Sequence, residues 1–295
     1  MSHAKVTTVT LLAMKERGEQ ITMLTAYDYP MARLLDGSGI DVVLVGDSLA
    51  MVGLGHDTTL PVTVEEMLHH TRAVARGIRR ALIVADMPFL SYHTGSDQAV
   101  ANAGRFLKEA GAHGVKVEGG AEILEVVERM VASGIPVAGH LGLTPQAVHR
   151  MGGYRIQAKT AEAAERLLTD ALALEAAGIF CLILEGIPRQ VAQEVTEALR
   201  VPTIGIGAGP HCDGQVLVTN DLLGFFDDFT PKFVKRYAAL TETIREAVGR
   251  FRDEVQRAQF PAPEHTVSLD AAEAKAWETS CIRRRGRAVK LVRGQ

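Results

Sequence analysis

Aromatic residues are scarce, 5% of 295, and cysteine is scarcer still, with three thiols at positions 181, 212 and 281. These thiols share no metal-like or redox-like spacing, and their odd count suits a reducing compartment better than a disulfide framework. No apolar run approaches the roughly 20 residues that a membrane-spanning helix needs. The opening MSHAKVTTVTLLAMK also lacks a signal-peptide core. A cytoplasmic protein without a membrane partner is therefore expected. Excess charge of one sign is missing too: 32 Lys and Arg stand against 35 Asp and Glu, a net of -3. That balance argues against a nucleic-acid footprint over the whole surface and leaves a small molecule as the expected partner.

Aliphatic residues are what the chain has in plenty. The 47% apolar share suffices for a large core. It is concentrated in eight short runs: ITMLTAY (21–27), DVVLVGDS (41–48), ALIVADMP (81–88), GVKVEG (114–119), IPVAGHLGL (135–143), IFCLILEG (179–186), PTIGIGAG (202–209) and QVLVTNDLL (215–223). Each is too continuous for a half-solvated strand and too short for a buried helix, so they read as parallel strands covered on both faces. Between most of them lie segments with apolar residues three and four apart, such as VEEMLHHTRAVARGI and TAEAAERLLTDALALEAAG. These read as amphipathic helices. Eight strands alternating with helices predict a (β/α)8 barrel in preference to a doubly wound open sheet, which stops more often at about six strands. One barrel domain is expected over residues 1–265, followed by a basic, flexible tail over 266–295. Ile282 to Gln295 carries six Arg or Lys and no acid. A solvated end and an anion- or nucleic-acid-binding segment are both open readings of it.

Reactive groups of a barrel enzyme gather where strands end on the C-terminal face. Asp47 and Ser48 end the second run, Asp86 the third and Glu185 the sixth, while Lys116 with Glu118 lies in the fourth and His140 in the fifth. So many ionisable groups at a core mouth must share counter-ions. Asp47, Asp86 and Glu118 on adjacent strands predict an oxygen-ligated Mg2+ site. Zinc with His140 and helix capping by any single Asp are the alternatives. Lys116 and Glu118, two apart, face the same side of their strand, either to meet a substrate carboxylate or as a structural ion pair. Glu185, after the apolar CLIL, reads as a proton acceptor whose pKa desolvation could raise, or as a helix-capping Glu. GIGAG (205–209) either admits a ligand close to the backbone or satisfies tight packing. His69 and His70 read as surface residues of a helix.

Several ordered segments carry a resemblance: TAYDYPMARLLDGSGIDVVLVGDSLAMVGLGHDTTLPVT, ADMPFLSY, GVKVEGG, AGHLGLTPQ, LEGIP and IGIGAGPHCDGQVLV. Together they resemble the ketopantoate hydroxymethyltransferase family, from about residue 4 to the PEHT at 263–266. The resemblance implies a barrel of the phosphoenolpyruvate mutase/isocitrate lyase type, cytoplasmic and homo-oligomeric, a decamer in many members. It implies transfer of a hydroxymethyl group from 5,10-methylenetetrahydrofolate to 3-methyl-2-oxobutanoate, giving ketopantoate on the way to pantothenate and coenzyme A. It puts Mg2+ and ketoacid contacts on Asp47 and Ser48 and a second metal and substrate position on Asp86. Lys116 would contact the ketoacid, Glu118 complete the metal site, Glu185 accept the proton and His140 line the pocket. The chemistry agrees with this, because a 2-oxo acid can chelate Mg2+ and the cation can stabilise the enolate left when C3 loses its proton. The basic stretch from Val267 onward has no role in the resemblance. The alternatives are a related Mg-dependent 2-oxo acid lyase, whose Lys-Lys-Cys-Gly-type loop the chain lacks, and a catalytically silent small-molecule-binding barrel.

Overall fold

Each of the eight apolar runs contains a strand, and the strands pair in parallel and in sequence order until the eighth meets the first, closing a barrel. They are β1 (Ile21–Thr25), β2 (Val42–Val45), β3 (Leu82–Asp86), β4 (Gly114–Glu118), β5 (Val137–Gly142), β6 (Cys181–Glu185), β7 (Thr203–Ile206) and β8 (Gly214–Leu217). The computed structural model describes residues 4–225 and 231–292, with backbone alone for 286–292.

Alternate side chains of the strands divide between two cores. Met23, Val42, Leu44, Leu82, Val84, Ala138, Ile183, Ile204 and Val216 fill the barrel interior. Val43, Val45, Ile83, Ala85, Val115, Val117, Leu182 and Leu184 face outward into the layer covered by helices. Burying one such aliphatic side chain contributes about 1.5–3 kcal/mol, which is why strands covered on both faces read as unbroken apolar runs. Val6, Leu11 and Met14 join the interior cluster although they precede β1. They belong to helix α1 (Thr8–Glu16) and its approach, which close the N-terminal end of the barrel. Lys15 fixes that closure, its ammonium 2.9 Å from Asp213 and donating to the Thr196 carbonyl at 2.9 Å.

The outer layer contains α2 (Tyr29–Gly37), α3 (Leu49–Val52), α4 (Val64–Gly77), α5 (Ser96–Lys108), α6 (Leu124–Ala132), α7 (Val148–Met151), α8 (Ala161–Ala176), α9 (Arg189–Ala198) and α10 (Thr219–Leu222). Their starts are written in the sequence. Asp28 accepts from the Met31 N–H ahead of α2, and Thr63 and Glu66 form a reciprocal capping box on α4, satisfying N–H groups that the first turn leaves open. No helix separates β7 from β8.

Residues Met1–Leu240 form one compact unit and Thr241–Gln295 a second. The division between these units falls at 240/241. The second unit consists mainly of α11 (Leu240–Gln256) and α12 (Ala271–Val292), so most of the stretch expected to be a flexible tail has helical backbone. Residues 293–295 of that stretch lie outside the described residues. Among the described residues no helix is long and apolar enough to cross a membrane.

Candidate active site

Strand register builds the site. Asp86 pairs with Lys116 across β3 and β4, Glu118 with His140 across β4 and β5, and Gly142 with Glu185 across β5 and β6. Asp86, Glu118 and Glu185 are the last residues of their strands, and Asp47 and Ser48 follow the end of β2. All seven polar residues singled out above line one cavity of about 370 Å³ at the C-terminal mouth. Its apolar wall includes Met51, Val52, Leu143, Ile156 and Phe233.

The charges are arranged around Lys116. Its ammonium lies 3.4 Å from Asp86 Oδ2 and 3.4 Å from Glu118 Oε1. Burial opposes that charge, but Asp86, Glu118 and Asp47 outweigh it and raise the Lys116 pKa above the ordinary range. Glu118 moves the other way: burial raises its pKa, and Lys116 and His140 outweigh burial and bring it to about 2. Asp47 titrates well above an ordinary carboxylate because it is buried and faces Glu118 and Asp86. Burial also raises Asp86, against the pull of Lys116.

His140 joins two acids. Its Nδ1 is 3.2 Å from Glu118 Oε1 and its Nε2 is 3.2 Å from Glu185 Oε2. The second contact is a charge attraction and not a hydrogen bond, because Nε2 has no aligned acceptor. Burial and the Lys116 ammonium, with Nζ 3.1 Å from Nδ1, disfavour the imidazolium; Glu118 and Glu185 prevail and lift the pKa to about 9. Glu185, read from the sequence as a proton acceptor or a helix cap, thus has a basic neighbour. It sits against His140 and stays 16% exposed, open to the cavity.

Asp47, Asp86 and Glu118 were expected to converge on a cation, and all three line the same cavity. Among the described residues no three His, Cys, Asp or Glu side chains form a ready metal cluster. Both Glu118 oxygens are engaged, Oε1 with Lys116 and His140 and Oε2 with the Gln146 N–H. Asp86 Oδ2 accepts from the Asp47 N–H at 2.9 Å, while its Oδ1 is buried without a hydrogen-bond partner. An orphaned carboxylate oxygen beside a second crowded acid suits a hard divalent cation, and an oxygen-only donor set favours Mg2+ over zinc. The residues present fit such an ion.

Ser48 shares a 2.8 Å hydrogen bond with the Tyr27 hydroxyl. His69 is exposed as expected, but His70 is half-buried, with Nδ1 2.6 Å from the Tyr27 carbonyl oxygen. Packing explains the GIGAG loop: a Cβ on Gly207 would press on the Phe233 ring at 2.7 Å, and one on Gly209 on Arg189 Cβ at 2.5 Å. Sequence reasoning missed Tyr92, buried and bonded to Gln146, and Gln146 itself. The signal available for Gln146 was its place in AGHLGLTPQ, four residues beyond the end of β5.

The comparisons with known proteins point the same way. The sequence profile described as ketopantoate hydroxymethyltransferase matches residues 5–263. The 3-methyl-2-oxobutanoate hydroxymethyltransferase of Syntrophus aciditrophicus (strain SB) is 58% identical over 262 residues, covering 89% of this chain and 96% of the relative. That of Thermoanaerobacter sp. (strain X514) is 54% identical over 271 residues, covering 92% and 99%. Among solved structures, a phosphoenolpyruvate phosphomutase from Streptomyces platensis subsp. rosaceus matches with a TM-score of 0.59 at 13% identity, covering 96% of this chain and 99% of that one. A 2,3-dimethylmalate lyase of the PEP mutase/isocitrate lyase superfamily matches with a TM-score of 0.57 at 13% identity, covering 95% and 98%. The structural likeness establishes the barrel type, and the sequence likeness establishes that this chain belongs to the ketopantoate hydroxymethyltransferase family.

Proposed function

We propose that this chain transfers a hydroxymethyl group from 5,10-methylenetetrahydrofolate to 3-methyl-2-oxobutanoate, giving ketopantoate, with Mg2+ as the resident cation. Family membership supports the reaction. The observation that carries the chemistry is the acidic mouth: buried Asp47, Asp86 and Glu118 around Lys116, with an orphaned Asp86 oxygen. In this reading Asp47 and Asp86 hold the cation, and Glu118 completes the acidic set through its contacts to Lys116 and His140. When bound, the ion would supply positive charge beside the carboxylate and ketone oxygens of a 2-oxo acid, easing loss of the C3 proton.

The protein's own groups do the rest. The Lys116 ammonium, kept charged by its acidic neighbours, attracts the substrate carboxylate. Ser48, held by Tyr27, presents a hydroxyl to the same cavity. Glu185 accepts the C3 proton, and His140, with Nε2 3.2 Å from Glu185 Oε2, holds that carboxylate where it lines the cavity. Leu143, Ile156 and Phe233 give the branched alkyl group an apolar wall. C3 then bonds to the one-carbon unit of the folate, water supplies the product hydroxyl, and tetrahydrofolate leaves. The enzyme works in the cytoplasm, as a homo-oligomer of the decameric kind.

Proton NMR of the ketoacid in D2O with Mg2+ and no folate tests the central step. Deuterium should enter at C3, and Glu185→Gln should slow that exchange by on the order of 100-fold or more. Exchange at the parental rate in Glu185→Gln would remove Glu185 as the base, and no exchange in the parent would overturn the enolising reading.

A further inference from the structure

The segment after β5 places an uncharged side chain among the acids. Gln146 is 6% exposed. Its Nε2 donates to Asp47 Oδ2 at 2.8 Å and to the Met87 carbonyl at 3.0 Å. Its backbone N–H donates to Glu118 Oε2 at 3.0 Å, and its Oε1 accepts from the Tyr92 hydroxyl at 2.8 Å. The Tyr92 oxygen in turn accepts from the Glu118 N–H at 3.0 Å. A carbonyl can only accept, so Met87 fixes which end of the amide faces Asp47: the donor end. Two acids from different strands are thus tied to one residue that cannot ionise, braced by Tyr92.

We propose that Gln146 is a positioning residue, which by clamping one oxygen of Asp47 and one of Glu118 sets both carboxylates and leaves the other Asp47 oxygen for a divalent cation. The inference rests on the cation reading above and not on the transfer reaction. Without the clamp, Asp47 faces two other carboxylates, and the Lys116 ammonium attracts it but does not fix which oxygen turns to the cavity. Partners that orient a ligating group typically account for about 10- to 100-fold in metal affinity.

Titration calorimetry with Mn2+ alone, on the full chain, tests this. Gln146→Leu should weaken Mn2+ binding by about 10- to 100-fold. Tyr92→Phe, which keeps the Asp47 contact but removes the brace, should weaken it less, and the double variant should bind no worse than Gln146→Leu, because both act through one linkage. In the ketoacid exchange assay the loss should appear in KM at limiting Mg2+ and diminish at saturating Mg2+, which a general loosening of the fold would not produce. Mn2+ affinity within twofold of the parent in a folded Gln146→Leu chain would overturn the proposal. If that variant fails to fold, unchanged affinity in Tyr92→Phe overturns it. A parent that binds Mn2+ in a Gln146-dependent way but exchanges no deuterium keeps Gln146 as a positioning residue and sinks the reaction instead. A parent that binds no Mn2+ sinks both.

Discussion

Lys116 is held between an acid of its own strand and one of the neighbouring strand, 3.4 Å from each. Removing one partner from a buried ion cluster costs about 3–5 kcal/mol, because the charges left behind stay desolvated. Lys116→Met should lower the stability measured by urea denaturation by that amount, and saturating Mg2+ should return part of it by binding the folded chain alone. A midpoint equal to the parent's would show that Lys116 does not stabilise the fold. Asp36 offers a separate titration, far from the acidic mouth. Burial raises its pKa, but N–H donors from Arg79, Arg80 and Ala81 at 2.8–3.0 Å outweigh burial and bring it below the ordinary value. A carboxylate depressed on folding stabilises above its unfolded pKa of about 3.9, and that contribution is lost as pH falls through the lower folded value. Asp36→Ala should cost about 2 kcal/mol at pH 7, with the gap to the parent closing below about pH 4. A gap that stays constant from pH 7 to pH 3 would contradict the assignment. The charged residues of the site could be found from sequence because each interrupts or ends an apolar run. For Gln146 only its place in AGHLGLTPQ offered a signal, since by residue type an uncharged side chain in a TPQ loop looks the same whether it meets water or buried acids. The His140–Glu185 contact could not be found, because it depends on register between strands whose contacting residues are 45 apart in sequence.

At the scale of elements, the strands were readable because burial on both faces forces a continuous aliphatic run, and the longer helices because caps and three-to-four spacing mark them. Thr63 and Glu66 illustrate the second kind of signal. Thr63→Ala removes a bond to the Glu66 N–H and should destabilise by about 1 kcal/mol, seen as a lower thermal midpoint with unchanged exchange kinetics. Gly142 illustrates what a pattern hides. It ends β5 at φ 94°, and a Cβ there would collide with the Glu185 carbonyl and Ile187. Gly142→Ala should therefore displace the end of β6 and lower proton-exchange activity more than it lowers stability, since Glu185 is that end. If exchange survived while stability fell by about 1–3 kcal/mol, the glycine would serve the backbone only.

At the scale of the whole molecule, composition led to the expectation of a solvated tail after residue 265, because basic residues without acids suit a disordered end as well as a helix. α11 has no buried residue, yet it carries Ile244, Val248, Phe251 and Val255, all exposed, at spacings that place them along one stripe. A stripe of that kind is what the expected homo-oligomer would need on its surface. Sedimentation velocity of the full chain should show an assembly, and Val248→Glu with Phe251→Glu should shift it to smaller species. A parent that sediments as a monomer would remove the expectation.

Val6, Leu11 and Met14 stopper the barrel at the end away from its chemistry. Everything that reacts must then use the same doorway in both directions. Under the proposed reaction a finished molecule lingering against Ile156 and Phe233 would block the next arrival, and added ketopantoate should lower initial rates in competition with its own precursor.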